Sequence, residues 1–133
     1  MQRILLILAI TLFTFSCKKD DKTSLDIENT LFTKLETSQT GIDFINKVEN
    51  EKDFDIFKYR NFYNGGGVSA GDINNDGLPD LYFVSNQGEN KLYLNKGNLT
   101  FQDITKNANV SGNSDWNPGS TMVDINGDGF LDI

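Results

Sequence analysis

Histidine is absent from the 133 residues, and cysteine occurs once. The first absence removes every histidine-based triad, histidine general base and histidine-ligated zinc or haem site. The second excludes an internal disulfide framework and any multi-cysteine metal cluster. Proline is scarce too, at two residues against 12 glycines, a balance that points to many tight turns. Cations are outnumbered, with 12 Lys and Arg against 19 Asp and Glu, for a formal net charge of −7. Binding to a phosphate backbone needs clustered cations, so nucleic acid is not an expected partner. The length suits one small domain. Ten Phe, four Tyr and one Trp supply enough aromatic surface to argue against disorder.

No apolar run is long enough to be read as a membrane span. Ile4 to Phe15 is apolar except for Thr11 and Thr14 and follows the single charge of Arg3. A spanning helix needs about 20 apolar residues, whereas this run fits the hydrophobic region of a signal peptide. The next residues, Thr14-Phe15-Ser16-Cys17, resemble a bacterial lipoprotein lipobox, with Thr14 where Leu is usual. An ordinary secretory signal with an incidental cysteine is the plainer alternative. In the lipoprotein reading residues 1–16 are removed, Cys17 carries the acyl chains, and residues 17–28 form a flexible charged tether. Acyl methylenes contribute about 0.8 kcal/mol each on burial, so two or more chains hold a protein on a membrane. The Lys18-Lys-Asp-Asp-Lys22 run resembles the surface-export signal of some Gram-negative lipoproteins. The expected location is outside the cytoplasm, at the outer membrane or cell surface, with the membrane as a partner through the anchor.

Two segments align without gaps, Asp72-Ile-Asn-Asn-Asp-Gly-Leu-Pro-Asp80 and Asp124-Ile-Asn-Gly-Asp-Gly-Phe-Leu-Asp132. The offset is 52 residues, and Gly67 aligns with Gly119 in the same register. A period near 50 suggests a propeller or solenoid, in which each repeat is one supersecondary unit. Between the two loops the pattern predicts four short antiparallel strands. They are Val68–Gly71, the continuous apolar run Leu81–Val84, Leu92–Leu94, and a fourth opening at Leu99-Thr-Phe101, with turn clusters at Asn86–Asn90 and Asn95–Asn98. Four such strands make a propeller blade, so the fold class is all-β, truncated after about one blade of the usual 4–8. Upstream, period-two alternation predicts strands over Leu31–Leu35 and Ile42–Phe44. A further short strand is expected at Phe57–Tyr59, and a loop or one helical turn over Asn50–Asp55.

Both loops follow D-x-N-x-D-G-x-x-D. Calcium takes 6–8 oxygen ligands, and side-chain oxygens at positions 1, 3 and 5 converge if the chain curls around the ion. Glycine at position 6 permits the sharp turn, and position 7 offers a carbonyl. The first candidate set is Asp72, Asn74 and Asp76, the carbonyl of Leu78, and Asp80 at position 9. The second is Asp124, Asn126 and Asp128, the carbonyl of Phe130, and Asp132. Magnesium, with its strict octahedral geometry, fits less well. An EF-hand would need an acid at position 12, where the first loop has Phe83, and flanking helices. The non-metal alternative is a pair of Asx-rich hairpin turns whose side chains cap the backbone.

The loops, their place between the first two strands of a blade, and their spacing resemble the FG-GAP/VCBS repeats of integrin-α-type β-propellers. Further stretches narrow the resemblance: Thr40-Gly-Ile-Asp-Phe44, Asn64-Gly-Gly-Gly-Val68, Asn90-Lys-Leu-Tyr-Leu-Asn-Lys-Gly97, Phe101-Gln-Asp-Ile-Thr105 and Met122-Val-Asp-Ile-Asn126. They are similar to the start of bacterial VCBS-repeat lipoproteins of the ASPIC/UnbV, cartilage-acidic-protein-like group. The resemblance runs over residues 29–133, which it identifies as a partial propeller. In that group several more blades and a small C-terminal domain follow. It implies one structural Ca2+ per loop, on the propeller face opposite the ligand-binding surface, and no catalytic residues. The function expected is a calcium-stabilised, non-catalytic binding or adhesion module on a cell surface, with an extracellular glycan or protein as ligand. The alternatives are a pure scaffold, or a carbohydrate-active, lyase-like enzyme whose active part lies outside the chain. Trp116, just before the second repeat, is expected to pack between blades rather than stack on a sugar.

Overall fold

The computed structural model describes residues 31–112 and 116–133. The signal segment 1–16, Cys17 and the whole tether to residue 28 lie outside them. The chain divides into two units, Met1–Lys34 and Leu35–Ile133. Of the first, residues 31–34 are described; they are exposed and carry no strand, with Leu31 and Phe32 almost fully in solvent. Among the described residues no helix is long and apolar enough to cross a membrane.

The second unit is built on one four-stranded antiparallel sheet in the order β1-β2-β3-β4, each strand beside its neighbour in sequence. The strands are β1 (Val68–Gly71), β2 (Asp80–Phe83), β3 (Lys91–Asn95) and β4 (Phe101–Asp103). The fold is thus all-β and blade-like, and the helices among the described residues are two single turns, Thr37–Thr40 and Thr105–Ala108. Strand β1 has the predicted limits. Strand β4 starts two residues later than expected, because Gly97, Asn98 and Leu99 all have positive φ, at 82°, 52° and 57°. That backbone cannot lie in a ladder. It instead closes a turn in which Lys96 N–H donates to Thr100 C=O and Thr100 N–H to Gly97 C=O.

Alternation sends Tyr82, Val84 and Leu92 to one face, where Ile73, Ile104, Val110 and Met122 pack against them. On the other face Phe83 stacks on Phe44 at 5.1 Å and meets Tyr93 edge-on at 5.7 Å. The apolar run after the first loop is therefore covered on both sides, as its lack of alternation implies.

The predicted strand Ile42–Phe44 is not one. Residues 42–48 alternate between half-buried and exposed, but no ladder forms. This strap lies along the sheet and is held by side chains. Tyr93 hydroxyl donates to Asp43 Oδ1 at 2.6 Å, and Asn46 Nδ2 donates to Asn86 Oδ1 at 2.7 Å. Burial, with the Asp43 contact second, pushes the Tyr93 phenol well above its ordinary value, so it stays a donor. The strands expected at Leu31–Leu35 and Phe57–Tyr59 are likewise absent. At the latter, Asp55 Oδ1 accepts the amides of Phe57 and Lys58 and bends the chain into a turn. Phe54, Tyr59 and Phe62 then surround Trp116, whose ring lies 5.0–5.6 Å from each. Trp116 thus packs rather than lying free, but its ring partners are these aromatics upstream of β1 and not a neighbouring blade.

The second repeat begins in the same geometry as the first. The bridge Val123↔Asp132 stands 52 residues after the β1–β2 pair Gly71↔Asp80. It also packs directly on β1. A Cβ added at Gly67 would lie 2.8 Å from Gly119 Cα, and one at Gly71 would lie 2.6 Å from Leu131 Cδ1. Ser69 and Ser120 share a hydroxyl hydrogen bond there. Small residues let the two repeats approach along this line.

Candidate functional site

The two Asp-rich loops share five bonds, and the second adds one from Gly127 N–H to Asp124 Oδ1 at 2.7 Å. In the first, Asp72 Oδ1 accepts Asp76 N–H at 3.0 Å and Asp72 Oδ2 accepts Gly77 N–H at 2.7 Å. Asn74 Oδ1 accepts Asp76 N–H, Asn74 Nδ2 donates to Asp76 Oδ2, and Asp76 Oδ1 accepts Leu78 N–H. In the second, Asp124 accepts Asp128 N–H at 3.2 Å and Gly129 N–H at 2.9 Å. Asn126 Oδ1 accepts Asp128 N–H, Asn126 Nδ2 donates to Asp128 Oδ2, and Asp128 Oδ1 accepts Phe130 N–H. Positions 1, 3 and 5 thus gather around one centre in both copies.

This bonding satisfies the turns but does not exhaust the oxygens. An ionised carboxylate offers about four lone-pair sites. Asp72 uses two, from Asp76 and Gly77. The donor set is all hard oxygen, as calcium requires, and Asp72, Asn74 and Asp76 stand within hydrogen-bond reach of one another. The residues present fit the ion. Among the described residues no group of three or more His, Cys, Asp or Glu side chains gathers as a metal cluster. The candidate sets depend equally on the Asn side chains and the Leu78 and Phe130 carbonyls. The backbone amide of Gly129, foremost among four amides, holds the Asp124 carboxyl below its ordinary range despite some opposing desolvation. Loop 2 is thereby pre-set to carry an anion at position 1.

Position 9 has a second task. Asp80 is fully buried. Its Oδ2 accepts Ile73 N–H at 3.0 Å, and its Oδ1 accepts Asn95 N–H at 2.7 Å. One carboxylate therefore ties the start of the loop to the end of β3. Asp132 repeats the first of these bonds, accepting Ile125 N–H at 3.1 Å.

Three features escaped the sequence reading. Asn95 serves Asp80 through its amide, which no side-chain pattern announces. Buried Asn86 and Asn90 knit the far end of the sheet. Asn86 donates to the Gly65 and Asn117 carbonyls, and Asn90 accepts Ser85 N–H and donates to the Tyr82 hydroxyl. Among the described residues no buried side-chain polar atom lacks a partner. Asn75, between two candidate ligands, donates to Gly129 C=O in the other loop at 3.0 Å. Its alignment with Gly127 was the available signal.

Comparison with known proteins agrees with the loop geometry. The chain is 36% identical to cartilage acidic protein 1 of Xenopus tropicalis over 74 residues, which cover 55% of this chain and 11% of that protein. The mouse (Mus musculus) and human (Homo sapiens) proteins of the same name are also 36% identical, over 69 and 72 residues. The chain spans about a tenth of the length of these curated relatives. No solved structure gives a significant match. The family model that matches is the FG-GAP-like repeat, over residues 72–133, a span that opens on Asp72 and contains both loops.

Proposed function

We infer that this chain is part of a calcium-stabilised, non-catalytic β-propeller module that binds an extracellular glycan or protein at a cell surface. The observation that carries the reading is the recurrence of five loop bonds at a blade-length interval. The FG-GAP-like match over the same residues supports it. Each loop takes one structural Ca2+, the first through Asp72, Asn74, Asp76, the Leu78 carbonyl and Asp80. The second uses Asp124, Asn126, Asp128, the Phe130 carbonyl and Asp132. The ion offsets three carboxylates per loop and fastens the strand that enters to the strand that leaves.

The test is thermal. Extracellular modules bind calcium with Kd of roughly 10⁻⁴–10⁻³ M. At about ten times Kd, linkage contributes around 1.4 kcal/mol per site. Asp76→Ala is therefore expected to lower Tm in millimolar calcium and to change it little in EDTA, as followed by circular dichroism. Equal loss in both conditions would make Asp76 a turn residue only.

The lipid anchor belongs to the same reading and rests on the Ser16-Cys17 ending of the apolar run. Cys17→Ala is expected to move the protein from the membrane fraction to the soluble fraction, or to leave the signal uncleaved. Unchanged fractionation with normal processing would remove the lipoprotein assignment and leave the loops untouched.

A further inference from the structure

We propose that Asn75 couples the two loops, so that ordering one by a divalent cation raises the affinity of the other. The inference rests on the reading of the loops as cation sites and adds a regulation of them.

Asn75 and Gly127 occupy the same position of the repeat, and both are left-handed, with φ of 57° and 77°. Glycine adopts that conformation without steric cost, whereas asparagine pays for its Cβ. The first loop nonetheless carries Asn there, and its side chain does something a glycine cannot. Asn75 Nδ2 donates to the carbonyl of Gly129 at 3.0 Å, across 54 positions of sequence.

Both ends of that bond sit among candidate ligands. Asn75 lies between Asn74 and Asp76, whose side chains bond each other. Gly129 gives its own N–H to Asp124 Oδ2 at 2.9 Å, and it stands between Asp128 and Phe130. A cation drawn in by Asp72, Asn74 and Asp76 fixes the backbone on both sides of Asn75 and so fixes its amide. The Gly129 carbonyl is then held from outside, and loop 2 has less freedom left to lose when its own ion binds. Ordering paid at one site lowers the cost at the other, and the effect is reciprocal.

Charge acts in the opposite direction. An ion in loop 1 weakens the field that attracts an ion to loop 2, and salt screens this part over about 8 Å at physiological strength. Replacing neutral Asn75 by neutral glycine leaves the charge part unchanged, so a comparison of the two backgrounds isolates the bond. One net hydrogen bond corresponds to a coupling of about two- to tenfold in affinity.

The experiment is a calcium titration of the 133-residue chain followed by the NMR amide signals of Gly77 and Gly129, one in each loop. Asp128→Ala disables loop 2, and the affinity of loop 1 is read from Gly77. In the parent, this substitution is expected to weaken loop 1. In an Asn75→Gly background, the same substitution should weaken loop 1 by about two- to tenfold less. Asn75→Gly alone should leave the amide signals of β1–β4 in place and shift that of Gly129 even in EDTA. Equal weakening in both backgrounds would overturn the coupling while leaving both loops as cation sites. Failure of either glycine signal to respond to calcium in the parent would overturn the cation reading and the coupling with it.

Discussion

Gly66→Ala is expected to cost at least about 3 kcal/mol, the upper range for forcing extra atoms into a packed site. A Cβ at this position would lie 1.9 Å from the Val84 carbonyl oxygen and 2.8 Å from its carbon. Both atoms are backbone, so no side chain can swing aside. The next residue makes matters worse. Gly67 C=O accepts Val84 N–H at 2.9 Å, extending the β1–β2 pairing past the strand ends. Relieving the clash therefore means giving up that bond. For a domain of this size each kcal/mol corresponds to about 4–8 °C in Tm. The melting temperature should fall by more than about 10 °C, or the cooperative transition should disappear. Gly65→Ala provides the contrast. Gly65 is left-handed at φ 78°, but its Cβ would meet nothing within 4 Å. Only backbone strain of about 1 kcal/mol applies there. A Gly66→Ala protein that melts within 3 °C of the parent would contradict the close approach.

Asp80→Ala is expected to be nearly as damaging, and to stay damaging without calcium. The side chain is buried, and its two oxygens accept the amides of Ile73 and Asn95. Alanine leaves both donors without an acceptor beside the core, at about 1–3 kcal/mol each. The expected loss is roughly 2–6 kcal/mol in EDTA, with the loss of an ion ligand added to it in calcium. Asp76 makes the comparison sharp. It is exposed, it accepts only bonds from within its own loop, and its effect should be visible in calcium alone. Chemical denaturation of the two variants in both conditions separates a carboxylate that holds the sheet as well as an ion from one that holds an ion alone. An Asp80→Ala protein as stable as the parent in EDTA would contradict the role of its amide bonds.

Much of this arrangement was legible in the sequence because the repeat is short and dense. D-x-N-x-D-G carries its own turn chemistry, and two copies in register fix the loops and the strand that leaves the first, while the alignment of Gly67 with Gly119 did not announce that the two glycines meet. The apolar run after the first loop gave a strand covered on both faces. Periodicity misled where it reported burial without pairing. Ile42, Phe44 and Asn46 alternate because the strap lies on one face of the sheet, and its bonds are made by side chains that a period cannot reveal. The limit of β4 was lost to three successive left-handed residues, one of them Leu99, which propensity assigns to a strand. Asp80 showed an acid at position 9 but not its burial, because the Asn95 amide that bonds it is common to almost every residue type. The Asn75 contact depends on how two repeats stack, and only the Gly127 equivalence hinted that its side chain had a purpose.

Isothermal titration of the 133-residue chain with calcium chloride tests whether the two loops are cation sites of the same kind. Two ions per chain are expected, with Kd of roughly 10⁻⁴–10⁻³ M. One ion should be lost on Asp76→Ala and the other on Asp128→Ala. No heat of binding in the parent, or binding that survives both substitutions together, would contradict it.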